Sequence, residues 1–246
     1  ISGEHSVEIK MKNNEIKHRE KNLVKNRFSL SAPKTELTGS TIRWEPLEGA
    51  MSYNLYKNGS FVTSLEKNQW EVEEDDFADY RVTAVDSLGY ESFSSEPVMV
   101  YNPEQEIIIE MESFLEKANQ PYRNYSGKGF VEISTSKHRT IPLDVEVSET
   151  GNYRLDFRYA NGTGPWNTDN NCAVRSLYLN DEFKEVVVLP QRGEDEWSDW
   201  GYSNNITVGL KKGRNQLSLQ FEEWNTNMDG EINKALLDYL RLIKLE

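Results

Sequence analysis

Cysteine is nearly missing from this 246-residue chain: Cys172 stands alone, so no internal disulfide can form and zinc sites built on two or more thiolates are excluded. Positive charge is also short, with 28 Lys and Arg against 41 Asp and Glu and a net charge of −13 at pH 7. That balance lacks the basic footprint of a nucleic-acid binder and does not suit an anionic membrane surface. Apolar runs are brief, "EIIIEM" and "EVVVLP" being typical, and none approaches the roughly 18 residues of a membrane span. Catalytic signatures are missing too. There is no G-x-S-x-G, no H-E-x-x-H and no phosphate-cradling glycine loop, and His138 in "TSKHRT" has no Ser or Cys motif beside it. Carboxylate pairs are easy to find in so acidic a chain, which makes a glycosidase-type acid and base pair a weak signal. The expectation is a non-catalytic chain. It begins at Ile1 without a methionine, as a processed or excised piece of a longer chain would.

What the sequence has in quantity is alternation. Residues 1–27 open on Val7, Ile9 and Met11 and then turn charged, "KNNEIKHREKNLVKNR", which reads as an N-terminal strand and a solvated linker. From residue 28 to 101, short alternating segments are separated by turn signals: "TIRWEPLEGA", "SYNLYKNGSFVTSL", "DYRVTAVDSLGYES". Asn58-Gly59 between two such runs is a strong hairpin signal, because a type I′ turn needs positive φ at both central residues. "YNPEQE", 101–106, is a polar, proline-containing joint. Beyond it alternation resumes over 106–246 in runs such as "IPLDVEV", "GNYRLDFRYA", "KEVVVLP" and "NQLSLQFEEW", with only "ESFLEKA" open to a short helix. The fold class expected is all-β, a small sandwich followed by a larger β-sandwich jelly roll.

Three polar loops carry aromatics. Trp166 sits in "NGTGPWNTDNN" with Asn167 and, just beyond, Arg175; Trp224 is followed by Asn225 and Asn227; Tyr122 and Tyr125 lie in "QPYRNYSG". An indole can stack on the C–H face of a pyranose while amides and guanidinium groups bind its hydroxyls. A loop aromatic can equally fold back as a lid on the core. Glu110 and Glu112 are two apart in a strand-like run, which aims both carboxylates at one face. Spacing alone is also compatible with an exposed acidic face; a cation that joins the two would be a hard one such as calcium.

The 28–101 segment resembles a fibronectin type III domain, with Trp44 in "IRWEP", Tyr53 and Tyr56 in "SYNLYKNG", and Tyr80 in "YRVTAVDSLGYES" standing where that family places core aromatics. The resemblance implies a spacer. The segment after it resembles carbohydrate-binding modules of families 35 and 6, through "IEMES", "NYSGKGFVE", "VEVSETGNYRLDFRYANG", "LYLNDE", "ITVGLKKGRNQLSL" and "LLDYLRL" in that order. This second resemblance implies a jelly roll that binds polysaccharide and targets an attached glycoside hydrolase or lyase, in an exported bacterial protein. It implies a structural Ca2+ held by Glu110, Glu112 and Asp238, and a sugar site gathered from the three aromatic loops. The partners expected are a polysaccharide or oligosaccharide and the catalytic domain of the same parent chain. The alternative is a pair of accessory domains that pack on that catalytic domain without binding sugar. Arg175 and Lys128 are the cations available for a uronate.

Overall fold

The structure is a computed structural model that describes residues 30–73, 77–165, 171–225 and 233–245, together with the backbone of Glu4–His5 and Val24–Lys25. The chain divides into two compact units, Ile1–Pro103 and Glu104–Glu246. Among the described residues no helix is long and apolar enough to cross a membrane.

In the first unit, β1 (Glu4–His5) pairs with β2 (Val24–Lys25). The rest is a two-sheet antiparallel sandwich. One sheet orders β3 (Thr35–Thr38), β4 (Thr41–Trp44) and β7 (Gln69–Glu71); the other runs β6 (Ser60–Leu65), β5 (Ser52–Lys57), β8 (Ala78–Val85), β9 (Val98–Val100). Asn58 and Gly59, at φ of 49° and 78°, close the β5–β6 hairpin in the conformation that the Asn-Gly pair predicts. Trp44, Tyr53 and Tyr80 are core residues packed with Ile42, Leu55 and Val82, and the Tyr53 hydroxyl accepts the Leu47 amide at 2.8 Å.

The second unit is a β-sandwich of jelly-roll type. Its larger sheet orders β10 (Glu106–Glu110), β21 (Ala235–Lys244), β13 (Gly151–Ala160) and β18 (Gly201–Tyr202), with β11 (Val131–Ile133) also on β21 and β19 (Ile206–Leu210) also on β13. The facing sheet orders β12 (Thr140–Val147), β20 (Gly213–Gln220), β15 (Ala173–Leu179) and β16 (Glu182–Leu189). A short pair, β14 (Thr163–Gly164) with β17 (Gly193–Glu194), ties two loops together. The first and last strands are neighbours, joined by a five-residue register from Glu106↔Ile243 to Glu110↔Tyr239.

Period-2 patterning explains most of these strands. β12 alternates exposed and buried residues along its whole length, and Ile141, Leu143, Val145 and Val147 enter the core. β21 is different, being buried at every position from Ala235 to Ile243. One face, with Leu237, Leu240 and Leu242, meets the main core, while Leu236 on the other face lies under a second small cluster of Phe130, Ala160, Tyr122, Trp197 and Trp200. A strand covered on both sides reads as a near-continuous apolar run, which is how "ALLDYLRLI" reads. The expected helix in "ESFLEKA" is only the end of a single 3-10 turn, Met111–Ser113, whose Met111 is buried as a plug in the core.

Candidate functional site

Three carboxylates converge on the loop 124–128. Glu110 accepts from the Ser126 hydroxyl at 2.7 Å, and Glu112 accepts from the Lys128 amide at 2.6 Å. Asp238 accepts the Ser126 amide at 2.9 and 3.1 Å and pairs with the Arg158 guanidinium, which also donates to the Asn124 carbonyl at 3.1 Å. Gly127, at φ +56°, lets the backbone pass between the acids: a Cβ there would stand 2.6 Å from Glu112 Oε1 and 2.9 Å from Glu110 Oε2.

The pleat does not bring the two glutamates together, contrary to the strand spacing. β10 ends at Glu110 and Glu112 belongs to the 3-10 turn, so it is that turn and the Gly127 loop that make them meet. Asp238 enters by a β-bulge. Tyr239 pairs with Arg158 and Leu237 with Tyr159, which leaves Asp238 as the extra residue of β21. Burial pushes its carboxyl above the usual carboxylate range, and Glu110 adds to the rise against the pull of the Ser126 amide and Arg158.

Glu110 Oε2 and Glu112 Oε2 are buried and have no hydrogen-bond partner among the described residues. Two orphaned anionic oxygens on one glycine loop form the donor set a hard cation takes. The full set of three fits less well. Among the described residues no cluster of three or more His, Cys, Asp or Glu has the geometry to hold a metal, and the Asp238 carboxylate is occupied by Ser126 and Arg158. Asp238 therefore anchors the loop, and the Glu110–Glu112 pair is the part that fits a cation.

The expected sugar-binding residues separate into groups. Trp166, Asn167 and Asn227 lie outside the described residues. Trp224 is 62 % exposed, and its indole Nε1 donates to Ser176 Oγ at 3.1 Å, so the ring is held at one edge while much of its surface faces solvent. Asn225 points inward. Its Oδ1 accepts the Glu222 amide at 2.8 Å and a Ser176 bond at 3.2 Å, and its carbonyl accepts from Asn233 Nδ2 at 2.7 Å.

Arg175 is also internal, with 0 % exposure. Its guanidinium donates to the carbonyls of Val174, Ser134 and Asn233 and to the Asn233 side chain, over the Phe221 ring at 4.9 Å. Burial pulls its pKa down to about 10, and Arg139 pulls the same way, which still leaves it protonated at neutral pH. Arg175 and Asn225 are thus corrected from ligand-binding to framework residues, since neither presents a polar atom to solvent. The strand parity contains the signal for Arg175: it shares a face with Ala173 and Leu177, both core residues. Asn233 and Ser176, which carry the network under Trp224, have no signature in the sequence.

Tyr122 is half-buried and stacks on Trp197 at 5.9 Å and 22°, so it belongs to the cover over β21. Tyr125 stays 39 % exposed, edge-on to Phe130 at 5.3 Å. Trp200 donates from Nε1 to the Arg123 carbonyl at 2.7 Å, and Lys234 lies 4.9 Å over the Trp197 ring. Both tryptophans pack as rim residues, in keeping with their place just ahead of a strand.

No family model matches the chain. A cycloisomaltooligosaccharide glucanotransferase of Niallia circulans is 30 % identical over 124 residues, which is 50 % of this chain and 11 % of that protein. Among solved structures, the cycloisomaltooligosaccharide glucanotransferase of a Paenibacillus species, complexed with cycloisomaltoheptaose, is similar at 26 % identity and a TM-score of 0.45, covering 55 % of this chain and 18 % of that one. CBM35 from Cellvibrio japonicus is similar at 20 % identity and a TM-score of 0.42, covering 57 % of this chain and 94 % of that module. The chain thus spans about a tenth of the length of the curated relatives it matches.

Proposed function

We propose that the chain is a non-catalytic, saccharide-binding portion of a larger exported bacterial enzyme that acts on glucan of the isomalto type. The second unit binds the polymer. The first is a fibronectin-type spacer between it and a catalytic domain of the same parent chain. Binding then raises the local concentration of the catalytic domain on its substrate, which needs no tight single-site affinity.

The observation that carries this reading is Trp224, a mostly exposed indole in the loop after β20, fixed at its nitrogen by Ser176 of β15. An indole held at its edge with its face open to water suits the C–H face of a pyranose. The similarity to glucanotransferases supports the choice of ligand class. Affinity electrophoresis of the chain in gels containing dextran, and in gels with other neutral glucans and mannans, tests it. Retardation is expected in dextran. Free migration in every gel with calcium present overturns saccharide binding and leaves the structural-accessory role.

The same reading includes a calcium ion at Glu110 and Glu112, whose buried Oε2 atoms lack other partners. When bound, the ion supplies positive charge that relieves the repulsion between the two carboxylates. The chain's own part is to hold the glutamates on either side of Gly127 and to fasten the loop by Ser126, Asp238 and Arg158. Chelation is expected to lower the melting temperature, and Glu112→Ala to abolish that response. An unchanged melting temperature after exhaustive chelation, with no metal found by elemental analysis, overturns the ion.

A further inference from the structure

A groove of about 420 Å³ opens between two segments of the second unit, 116–120 after the 3-10 turn and 137–138 in the β11–β12 turn. Both walls are fixed. The Ala118 amide donates to the Phe130 carbonyl at 2.8 Å, which pins the first. In the second, the Ser134 amide donates to the Lys137 carbonyl at 3.0 Å and the Ser134 hydroxyl accepts the Lys137 amide at 2.9 Å. Glu132 staples the walls together, accepting from Gln120 Nε2 at 2.8 Å and from Lys137 Nζ at 2.9 Å, with Lys234 on its other oxygen at 3.1 Å. Burial alone would raise the Glu132 carboxyl, but Lys137, Gln120 and Lys234 outweigh it and hold the group at about 2. The staple is therefore ionised at any physiological pH.

The lining has the chemistry of a surface that reads hydroxyls. Only Ala118 is apolar; Asn119, Gln120, Lys117, Lys137 and Glu116 offer donors and acceptors side by side. Gln120 is fixed in the wall by its amide, which donates to Glu132. His138 is held at φ +52°, a left-handed backbone that side chains other than glycine adopt at a cost and that gathers at functional sites. Two lysines against one glutamate give no strong selection for an anion. The groove is linked to the strand that leads to the platform. His138 leads into Arg139, whose carbonyl accepts the Phe221 amide at 2.6 Å and whose guanidinium lies 4.7 Å over the Phe221 ring, three residues before Trp224.

We propose that this groove is a second saccharide subsite, which takes the hydroxyl edges of an oligosaccharide that also stacks on Trp224. It rests on the reading of this unit as saccharide-binding, and it makes the unit a reader of chain interiors and long oligosaccharides. The ligand class is a neutral oligosaccharide long enough to span both places.

Isothermal titration of the whole chain with a ladder from isomaltose to isomaltooctaose tests it. Affinity should climb along the ladder for the intact chain. His138→Gly relieves the strained backbone and should leave the melting temperature unchanged or raised, while it flattens the climb; Asn119→Ala should do the same without the relief. At the long end each should cost about two- to twelvefold, the scale of one lost neutral hydrogen bond, with isomaltose affinity unchanged. A climb that persists in both variants, or an intact chain that binds every length equally, overturns the groove and leaves the Trp224 platform standing. An intact chain that binds nothing on the ladder and nothing in the gels overturns both.

Discussion

Trp224→Ala should lower saccharide affinity by about 1 to 3 kcal/mol, on the scale of an aromatic hot spot, and leave the melting temperature nearly unchanged. The two halves of that expectation come from the same fact. A ring that is 62 % exposed leaves little cavity when removed, so the stability cost stays far below the roughly 3 to 5 kcal/mol of a truncated core tryptophan. Its hydrogen bond from Nε1 to Ser176 Oγ at 3.1 Å is local, because Ser176 keeps its bonds to Asn225. Titration with isomaltooligosaccharides and thermal melting of the same preparation check both halves. A large fall in melting temperature with sugar affinity intact in the folded fraction would mean that the indole supports the Asn225–Asn233 network and does not serve as a platform.

Asp156→Ala should do the reverse, costing about 3 to 5 kcal/mol of stability and nothing in saccharide affinity once folded. Asp156 and Arg241 form a two-pronged pair at 2.9 and 2.7 Å on the outer face of the large sheet, with side chains 2 % and 6 % exposed. Arg241 also lies 3.7 Å from the centroid of the Tyr202 ring, and Glu106 stands at 4.0 Å. Removing the aspartate takes the two-pronged partner away from a buried guanidinium. Replacing both partners with apolar residues of similar volume, Asp156→Leu with Arg241→Met, should recover most of the loss, because the cost lies in keeping a buried charge after its two-pronged partner is gone. Denaturant melts of the three proteins check this, and a single variant that loses less than about 1 kcal/mol would show Glu106 taking over as partner.

The two predictions draw on different layers of the molecule, one local to a loop and one built from strands far apart in the chain. Alternation is a local property of a strand, and it was enough to place β12 and its Ile141–Val147 face, the Asn58-Gly59 hairpin, and the all-β class. Arg175 was expected at the ligand from its residue type, and the parity it shares with Ala173 and Leu177 takes it inward instead. The outcome for the acidic and aromatic residues depended on partners far away in the chain. Glu110 and Glu112 meet because Gly127 turns between them, Asp238 is taken up by Arg158 across a bulge, and Tyr122 is taken up by Trp197, 75 positions further on. Trp224 and Asn225 are adjacent and equally polar in their surroundings, yet one faces water and the other is sealed by Ser176 and Asn233. Spacing along a strand fixes which face a side chain takes, but whether that face meets water, a core or another charge is fixed only when distant loops close over it, and that the tertiary structure alone decided.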